Sequence, residues 1–580
     1  MSSLVSGPRR LAVLVRHGWA EVLFPGGDVV QRGGGTAFWG CFTFVAVVAG
    51  TILFLNLSYP LIEPDEGRYA EIGREMLTSG DWLVPQLHHE PFYDKPPLFF
   101  WLVAASFRVL GTHEWVARLI PATATLFAVL ATFWFGARVF GTRAGLISAC
   151  ILILSVGYIA LGRVIILDSL LASLVAISLF TAYEAVRNRP LNSGWWLASA
   201  AACALAVMAK GPVAVVLLVG PVVVLAWLHS SVARPSLRNW FIYLSIVAAV
   251  TIPWYVAVIL RDPHFAYHFF IEHHIARFFT AEFHQEPVWF YVPVLVGGIL
   301  PWSFLFPYFI RFVGTRPAEI RRLRTRALGF ILLWASWVFV FFSLSTCKLA
   351  SYMLPAGPPV ALMLGYLVDC ALFQPEASRV LSYTRGRLAY WIVAVVAGTA
   401  FALNGWLWYA GPPASRSQAW AIPGAVLPVL VASAMIWCRR HIRPQHAWSV
   451  CGVLCFLVIL ESTAILVPAW SNDRSPLAGD DDVEKQFRQG GVGVAWIGEM
   501  WGSIRFRLND DQATFCANAQ PRERLTEFLT RYPRSFFITK PEIDENLAQA
   551  LVGPGLHLER RTASTRAVIY AVEPVPAGPR

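Results

Sequence analysis

Long apolar stretches alternate with shorter polar stretches along most of this chain, and most of the apolar ones are about 20 residues long. An α-helix of that length crosses the hydrocarbon core of a bilayer, which is about 30 Å thick. The stretches do not alternate apolar and polar positions, so they differ from the strands of a membrane β-barrel. The pattern therefore predicts a polytopic α-helical membrane protein. The candidate spans lie at 37–57, 97–111, 118–140, 144–161, 165–186, 195–209, 212–229, 240–260, 289–312, 327–346, 352–372, 388–409, 420–437 and 447–468.

The amino-acid composition agrees with a membrane protein and argues against a nucleic-acid-binding protein. Of the 580 residues, 56% are hydrophobic and only 14% are charged, whereas about a quarter of the residues in soluble domains are charged. The net charge of +11 is what a positive-inside bias and an anionic lipid surface produce. We therefore expect membrane lipids as neighbours and no nucleic-acid partner. The nine cysteines form no recognisable disulfide framework.

Clusters of basic residues set the predicted orientation, because loops rich in Lys and Arg stay on the cytoplasmic side. Such clusters lie at 187–189, 234–238, 311–326 and 439–443. The first 36 residues hold Arg9, Arg10, Arg16 and Arg32 and are interpreted as a short cytoplasmic arm, which places the polar stretch 58–96 on the outer side. Strict alternation from 165 to 468, set by the basic loops, places 262–288 and the tail 470–580 on the outer side as well.

One part of the chain does not fit this alternation. Three apolar candidates lie between Leu98 and Ile165, but only an even number of crossings agrees with both flanks. We therefore predict that one of the three is a partial or re-entrant helix, which a membrane tolerates where the helix packs against protein. The predicted total is 13 spans, and the pattern does not say which of the three is incomplete.

The chain is thus divided into an arm at 1–36, a membrane domain at 37–469 and a tail at 470–580. The tail mixes charged residues with short apolar segments that are typical of strands, at 492–497, 535–538 and 567–572, and has a helical pattern near 523–532. This mixture predicts a small soluble α/β domain.

The polar stretch 59–98 is unusually rich in charge for a segment that follows a first span. Charged groups are costly near hydrocarbon and mark functional sites there by default. The stretch holds the side chains that we single out as a candidate active site at the membrane face: Glu63, Asp65, Glu66, Tyr93, Asp94 and Lys95. Asp65 also has a structural interpretation, because an acidic residue after Pro64 could cap the amphipathic helix that begins there.

Two further residues have both a structural and a functional interpretation. Asp168 lies near the start of an apolar span, and a carboxylate there needs a partner. That partner is either Arg163, in an ion pair that fixes two helices, or a functional group. Lys95 could extend its charge to the membrane surface, or it could bind a phosphate.

Four cations are predicted to lie at the outer face, namely Arg68, Lys95, Lys210 and Arg277. Together they could hold a phosphate or pyrophosphate headgroup. Tyr352 falls at the same outer end of its span. A lone cation at a membrane edge is more often a lipid anchor, but four beside several carboxylates favour an anion site.

The outer stretch 262–288 contains a cluster of histidines, at His264, His268, His273, His274 and His284. Asp94, His273 and His274 are the residues that we predict for a divalent metal, if one binds. Their spacing matches no closed zinc pattern, and interfacial histidines near aromatic residues are common. No other cofactor is expected.

Seven short motifs occur in a recognisable order: EPDEGRYAEI, YDKPPL, ARLIPA, LDSLL, MAKGPVA, EHHIARF and KLASYMLP. In this order they resemble the membrane-embedded GT-C glycosyltransferases that use a polyprenyl-phosphate sugar. Within that family the chain is most similar to the bacterial 4-amino-4-deoxy-L-arabinose transferase branch, which is related to the protein O-mannosyltransferases. The resemblance covers roughly residues 37–360.

The resemblance implies about 13 transmembrane helices, juxtamembrane helices in the first outer loop, and a small periplasmic α/β domain. It also implies transfer of a sugar from undecaprenyl phosphate to an acceptor such as lipid A, at the periplasmic face of a bacterial inner membrane. The sugar would be 4-amino-4-deoxy-L-arabinose or a related one, and another glycolipid or a protein hydroxyl could accept it instead.

The resemblance also assigns roles to individual residues. The catalytic acid falls on Asp65 and a second acid on Asp168. The phosphate-binding residues fall on Arg68, Lys95, Lys210, Arg277 and Tyr352. Four further residues would support them, namely Glu63, Glu66, Tyr93 and Asp94, and Asp94 stands where the family pattern has Glu.

The chemistry of the reaction suits these residue types. Cations stabilise the phosphate that leaves as the glycosidic bond breaks, and the sugar carbon becomes oxocarbenium-like. We hypothesise inversion at that carbon. The alternatives are a transporter or flippase for lipid-linked sugars, an enzyme like the protein O-mannosyltransferases, and a non-catalytic scaffold for the tail. A transporter would not need Asp65 and Asp168 on one face, and the sequence shows no symmetric pair of broken helices.

Overall fold

The computed structural model describes residues 35–280, 284–374, 387–410, 417–437 and 441–475, the single positions 377 and 381, and shorter stretches between 481 and 574. The predicted cytoplasmic arm, 1–36, lies outside the described residues apart from its last two positions. Part of the basic cluster at 439–443 also lies outside them.

The membrane part is built almost entirely of helices. In chain order they are α1 (Thr36–Phe54), α2 (Asp65–Ser79), α3 (Leu98–Leu110), α4 (Glu114–Val139), α5 (Thr142–Ile153), α6 (Val156–Arg163), α7 (Leu167–Val186), α8 (Ser193–Lys210), α9 (Val213–Leu228), α10 (Leu237–Arg261), α11 (Tyr291–Gly298), α12 (Phe306–Gly314), α13 (Arg326–Leu344), α14 (Gly357–Phe373), α15 (Arg387–Ala410), α16 (Ser417–Trp437) and α17 (Pro444–Glu461). Shorter helical segments lie at His264–Ala266, Tyr267–Ala276, Arg277–Phe279, Val288–Phe290, Trp302–Leu305, Ala318–Arg322, Ala350–Ala356, Ser462–Leu466 and Val467–Arg474. The strands Gln86–Leu87 (β1) and Glu90–Pro91 (β2) form a small hairpin in the first loop.

Within the described residues, eight helices are long and apolar enough to cross a membrane, or ten if each of two bent helix pairs counts as one span. A multi-spanning α-helical membrane protein is therefore confirmed. Leu98–Leu110, Val213–Leu228 and Gly424–Trp437 are apolar but shorter. The total of 13 spans stays a prediction.

The central helices are joined by polar contacts as well as by apolar packing. The Ser178 hydroxyl of α7 donates to the Ser199 carbonyl of α8 at 2.9 Å. The Tyr243 hydroxyl of α10 donates to the same carbonyl at 3.0 Å. Such small polar residues allow helices to approach closely and bind one another where no water competes.

Contacts between loops define two faces of the helical bundle. On the loop face, which carries 58–96 and 262–288, the Tyr93 hydroxyl donates to Asp262 at 2.8 Å. On the basic face, which carries 187–189, 234–238 and 311–326, the Ala233 N–H donates to the Val186 carbonyl at 2.8 Å. The two sets of loops are separated as the charge pattern predicts.

Three helices that begin on the basic face start with a side-chain cap. The side chains of Asn192, Ser236 and Thr325 each accept a hydrogen bond from a backbone N–H three residues later. These caps satisfy N–H groups that have no partner inside the helix.

Helix α3 is the incomplete member of the three candidates between Leu98 and Ile165. It has 13 residues and is therefore about 20 Å long, which is shorter than a bilayer core of about 30 Å. It begins on the loop face, and the chain is again on that face at Glu114, which pairs with Arg507 of the tail at 2.8 Å. Helix α3 thus packs along α2 in a second apolar core rather than crossing.

The candidate 289–312, predicted as one span, is two helical segments bent by 105°, and α5 and α6 form a second pair bent by 65°. Glycine and proline account for the first bend, because Gly297 and Gly298 favour no helix and Pro301 cannot donate a hydrogen bond. The two breaks face each other: the Val156 N–H donates to the Leu300 carbonyl at 3.1 Å. Backbone groups freed inside the bundle are thereby satisfied, as a membrane interior demands.

The tail contains the α/β unit that the sequence predicts. Its elements are α18 (Asp481–Gln489), β3 (Gly493–Trp496), α19 (Gly502–Arg505), β4 (Thr514–Cys516), α20 (Arg522–Arg531), β5 (Ser535–Thr539), α21 (Glu545–Val552), β6 (Leu556–Ala563) and β7 (Val568–Pro574). The strands form one sheet in the order β4-β3-β5-β7-β6. β3 is parallel to β4 and β5, whereas β7 is antiparallel to β5 and β6.

Candidate functional site

Four of the predicted phosphate-binding residues, Lys95, Lys210, Arg277 and Tyr352, line one cavity of about 320 Å³ at the loop face. Lys95 comes from the first loop, Lys210 from the end of α8, and Arg277 from the histidine-rich segment. Tyr352 lies in a 3-10 turn before α14. Residues far apart in sequence therefore converge as predicted.

The rest of the cavity wall is mostly apolar. It is formed by Leu171, Pro212, Val213, Val216, Ile275, Phe278, Phe279, Phe341 and Phe342. The cavity thus has a cationic end and an aromatic, aliphatic remainder. A ligand that fits both parts has an anionic head and an apolar chain.

Asp168 and Lys210 form an ion pair inside this site. The Lys210 ammonium contacts Asp168 Oδ1, and it lies 4.3 Å from the centre of the Tyr352 ring. The alternative pair of Asp168 with Arg163 is wrong, because Arg163 instead donates to backbone carbonyls at the end of α1, including that of Leu55 at 2.6 Å. Arg163 therefore has a helix-capping role, and Asp168 pairs with a lysine that lines the cavity.

Lys95 lies inside the cavity rather than at the lipid surface. Its ammonium contacts His273 and donates to the Asp94 carbonyl oxygen at 3.1 Å. Burial, reinforced by Lys210 and Arg277, lowers the pKa of Lys95 to about 7. An anion beside this amine would favour its charged form.

The three carboxylates at the start of α2 have different surroundings. Glu66 is fully buried and pairs with Arg118 at 2.5 Å, and Glu63 accepts a hydrogen bond from the Ser503 N–H at 2.6 Å. Asp65 is exposed, and no hydrogen bond joins its carboxylate to another of the described residues. Its side chain makes no capping bond at the start of α2, so the capping interpretation is not supported. Asp65 is thus the carboxylate left available for a substrate.

Tyr69, which the sequence reasoning missed, lies one turn after Asp65 on α2. Burial, followed by the charges of Asp65 and Asp168, raises the pKa of Tyr69. The charges of Arg68 and Asp94 also act on the Tyr69 hydroxyl: Arg68 lowers its pKa and Asp94 raises it. The Tyr69 hydroxyl therefore lies within electrostatic range of both Asp65 and Asp168, and only its position one helical turn from Asp65 could have indicated it.

Tyr93 and Asp262 join the first loop to the end of α10. The hydrogen bond between them is 2.8 Å long. Burial, followed by this bond to Asp262, raises the pKa of Tyr93 to about 12. Tyr93 thus supports the site by fixing a loop, and its hydroxyl is already occupied.

The residues that could hold a metal differ from the predicted set by one histidine. Asp94, His268 and His273 each offer a ligand atom, and these atoms lie within 4.8 Å of one another. His274 lies outside this group, because its Nδ1 contacts the Phe269 carbonyl at 2.6 Å. One carboxylate and two imidazoles suit a divalent transition metal with an open coordination position.

Cys347 is a second residue that the sequence did not single out. Its sulfur accepts a hydrogen bond from Arg277 Nε at 3.3 Å, while Arg277 Nη1 lies 3.1 Å from His273 Nε2. These contacts orient the guanidinium in the cavity wall. No sequence signal distinguishes this cysteine from the others that lie in or beside apolar stretches.

The fold and the site together define a class: a multi-spanning membrane protein with a cation-lined, amphipathic cavity and a carboxylate-rich first loop. Comparison with known proteins narrows this class. The model of a family described as dolichyl-phosphate-mannose-protein mannosyltransferase matches residues 37–269.

Curated relatives give a more specific likeness. The undecaprenyl phosphate-alpha-4-amino-4-deoxy-L-arabinose arabinosyl transferase 2 of Proteus mirabilis is 31% identical over 340 residues, which cover 57% of this chain and 60% of that protein. The corresponding transferase of Yersinia enterocolitica is 31% identical over 320 residues, covering 54% and 56%. The chain thus spans little more than half the length of these relatives.

Solved structures show the same fold over almost the whole chain. The crystal structure of apo ArnT from Cupriavidus metallidurans matches with a TM-score of 0.71 at 22% identity, covering 92% of this chain and 98% of that one. ArnT bound to undecaprenyl phosphate matches with a TM-score of 0.68 at 23% identity, covering 94% and 100%. The curated relatives thus repeat the likeness that the sequence motifs indicate, and the solved structures show that the chain has the fold of ArnT.

Proposed function

We propose that this protein is an integral membrane glycosyltransferase. It moves a sugar, 4-amino-4-deoxy-L-arabinose or a related one, from undecaprenyl phosphate to an acceptor such as lipid A. Three findings support this: the ArnT fold, the similarity to the arabinosyl transferases, and the cavity at the loop face.

The cavity is the observation that carries the proposal. Lys95, Lys210, Arg277 and Tyr352 are among the residues that line it. A phosphate there would meet three cations in a setting that holds little water, where such contacts are strong. The apolar remainder of the cavity suits the first isoprene units of the lipid. An ordinary ion-binding protein would not need that apolar wall.

The reaction follows from these positions. An acceptor oxygen attacks the anomeric carbon, the bond from that carbon to the phosphate oxygen breaks, and undecaprenyl phosphate leaves with the bonding electrons. Lys95 and Arg277 stabilise the charge that develops on the leaving phosphate. Attack from the opposite side inverts the anomeric centre.

In this scheme Asp65 is the residue that acts on the acceptor. If the acceptor is a hydroxyl, its proton moves to the Asp65 carboxylate, which is exposed and has no other hydrogen-bond partner among the described residues. If the acceptor is a phosphate of lipid A, it is already an anion, and Arg68 next to Asp65 orients it. Asp168 holds the Lys210 ammonium in place.

The loop face is periplasmic in this proposal, and the protein lies in a bacterial inner membrane. The separation of basic loops from the loop face supports this orientation. The domain limits 37–469 and 470–580 are part of the same proposal, with the tail on the periplasmic side.

A divalent metal forms a separate proposal. Asp94, His268 and His273 would hold it, and it would supply positive charge next to Lys95. Transfer itself needs no metal in the scheme above, so the metal would serve to position the first loop against the histidine-rich segment.

The test is sugar transfer by purified protein in nanodiscs, with undecaprenyl-phosphate-linked aminoarabinose as donor and lipid A as acceptor. We expect transfer by the wild type and by Arg238→Ala, which removes an exposed cation on the basic face. We expect Asp65→Asn and Lys95→Ala to lose transfer by at least about 100-fold, as is typical when charge stabilisation or a base is removed.

Other results would redirect or refute the proposal. Transfer only to a peptide hydroxyl would identify the mannosyltransferase-like alternative, which the family match to residues 37–269 favours. Donor binding without turnover, combined with movement of the lipid across a vesicle membrane, would establish the flippase. Equal activity of Asp65→Asn and wild type would refute the assigned acid.

A further inference from the structure

The tail segment 501–508 lies directly against the start of α2, which carries Asp65 and Arg68. Glu63 Oε1 accepts a hydrogen bond of 2.6 Å from the Ser503 N–H, across 440 positions of sequence. Glu63 stands two residues before Asp65. The tail therefore contacts the chain at the point where the proposed acid begins its helix.

Two glycines make this contact unusually close. A Cβ atom on Gly67 would lie 2.5 Å from the Ser503 nitrogen and 2.6 Å from Glu63 Oε1. A Cβ atom on Gly502 would lie 2.6 Å from the Arg68 nitrogen. The two backbones thus touch without intervening side chains, and any larger residue at either position would separate them.

Two arginines of the same segment add buried charge contacts. Arg505 Nη2 lies 2.9 Å from His89 Nε2, and its Nε lies 3.5 Å from Glu71 Oε1. Arg507 pairs with Glu114 at 2.8 Å, with side chains 9% and 8% exposed. Buried charges are costly without partners, so these contacts fix one relative position of tail and loop.

We propose that segment 501–508 is a positioning element of the active site. It holds the first turn of α2 so that Asp65 and Arg68 stay in register with Tyr69 and the cavity. The backbone N–H of Arg68 donates to the Pro64 carbonyl at 3.3 Å, but no side-chain hydrogen bond joins Asp65 or Arg68 to another of the described residues. The backbone of that turn therefore sets where the two side chains lie. This inference rests on the proposed function where its test measures sugar transfer.

The sharpest test is Ser503→Pro. Proline lacks the N–H that Glu63 accepts, yet it is compatible with the first turn of the short helix that begins at Gly502. We expect kcat to fall at least about 10-fold, because small displacements of reacting groups cost rate steeply. The Kd for undecaprenyl phosphate should stay within about twofold, and amide hydrogen exchange in α2 should accelerate.

A matched control and a second variant keep the test decisive. Arg561→Ala, at an exposed position of β6 in the same tail, should match wild type in every readout. Arg507→Glu should reproduce the Ser503→Pro result, and adding Glu114→Arg should restore kcat and exchange, because the pair is then reversed rather than lost.

The outcomes separate this inference from the proposed function. Unchanged exchange in α2 for both Ser503→Pro and Arg507→Glu would overturn the positioning role, even if transfer fell. A parallel loss of lipid binding and kcat would also overturn it, because that pattern means general destabilisation. If the wild type transfers no sugar, the proposed function fails, and the exchange measurement still decides whether the tail holds α2.

Discussion

Replacement of Arg118 by methionine should destabilise the protein strongly, although Arg118 has no role in the proposed reaction. Arg118 is fully buried at the start of α4. It binds both oxygens of Glu66, at 2.9 and 2.5 Å, and donates to the carbonyls of Leu57, Tyr59 and Pro60. Methionine has a similar length but no charge and no donors, so all of these bonds are lost together.

The expected loss in the free energy of unfolding follows from the polar groups that the substitution leaves buried without a partner. Breaking a buried ion pair by removing one partner costs about 3–5 kcal/mol, because the other charge stays buried. Glu66 keeps two N–H donors, from Ile62 at 2.8 Å and Ile165 at 3.0 Å, which places the expected loss near the lower end. The orphaned carbonyls act in the other direction, since each unsatisfied buried group costs about 1–3 kcal/mol.

A double-substitution cycle measures this in detergent-solubilised protein by the free energy of unfolding. Arg118→Met should lose about 3–5 kcal/mol, and adding Glu66→Gln should recover part of it, because the remaining side chain is then neutral. Asp65→Asn is the matched control in the same motif. It should change stability by no more than about 0.5 kcal/mol, as is usual for an exposed side chain, while abolishing transfer.

Two results would refute this reasoning. Equal stability of Arg118→Met and wild type would mean that the buried pair does not hold the first loop. A loss in the double variant equal to the sum of the two single losses would mean that Arg118 and Glu66 act independently, contrary to the direct contact between them.

Three further predictions concern the cavity and its surroundings. Zinc bound by the purified protein, measured by calorimetry, should be lost in Asp94→Ala and His268→Ala but kept in His274→Ala; retention in all three would exclude the proposed ligand set. Arg277→Ala should raise the Kd for undecaprenyl phosphate about 10-fold or more, since charge-assisted bonds are worth roughly 1.5–3 kcal/mol; an unchanged Kd would place the phosphate elsewhere. Tyr93→Phe should lower the free energy of unfolding by about 1 kcal/mol through one lost hydrogen bond, with kcat nearly unchanged, and a large loss of kcat would instead give the hydroxyl a direct role.

Much of the fold could be predicted because the hydropathy and charge of the sequence indicate where membrane helices begin and end. The separation of basic loops from the loop face follows from that pattern, and so does the mixed composition of the tail. Helix α3 could not be recognised as non-crossing from its own residues, since an apolar helix that packs on α2 has the composition of a short span. The bend of 105° near Gly298 has a local cause in glycine and proline, but no local pattern reveals that this break meets the one at Val156.

Some features of the site could likewise be predicted from the sequence, whereas others depend on contacts between residues far apart in it. Lys95, Lys210 and Arg277 could be predicted to meet because each lies at the loop-face end of its segment. The pairing of Asp168 with Lys210 rather than Arg163, and the place of His268 in the metal-ligand group, depend on side-chain directions that spacing alone does not fix.

The contacts of the charged groups explain how one site could serve a lipid donor and a water-exposed acceptor. Glu63 is bound to the tail and Glu66 to Arg118, so neither is available to a substrate. Asp65 remains exposed, while Lys95 lines the amphipathic cavity. A donor that enters through the apolar wall would bring its phosphate to the cations first. In-line displacement would then require the sugar to lie between the phosphate at these cations and an acceptor held at Asp65.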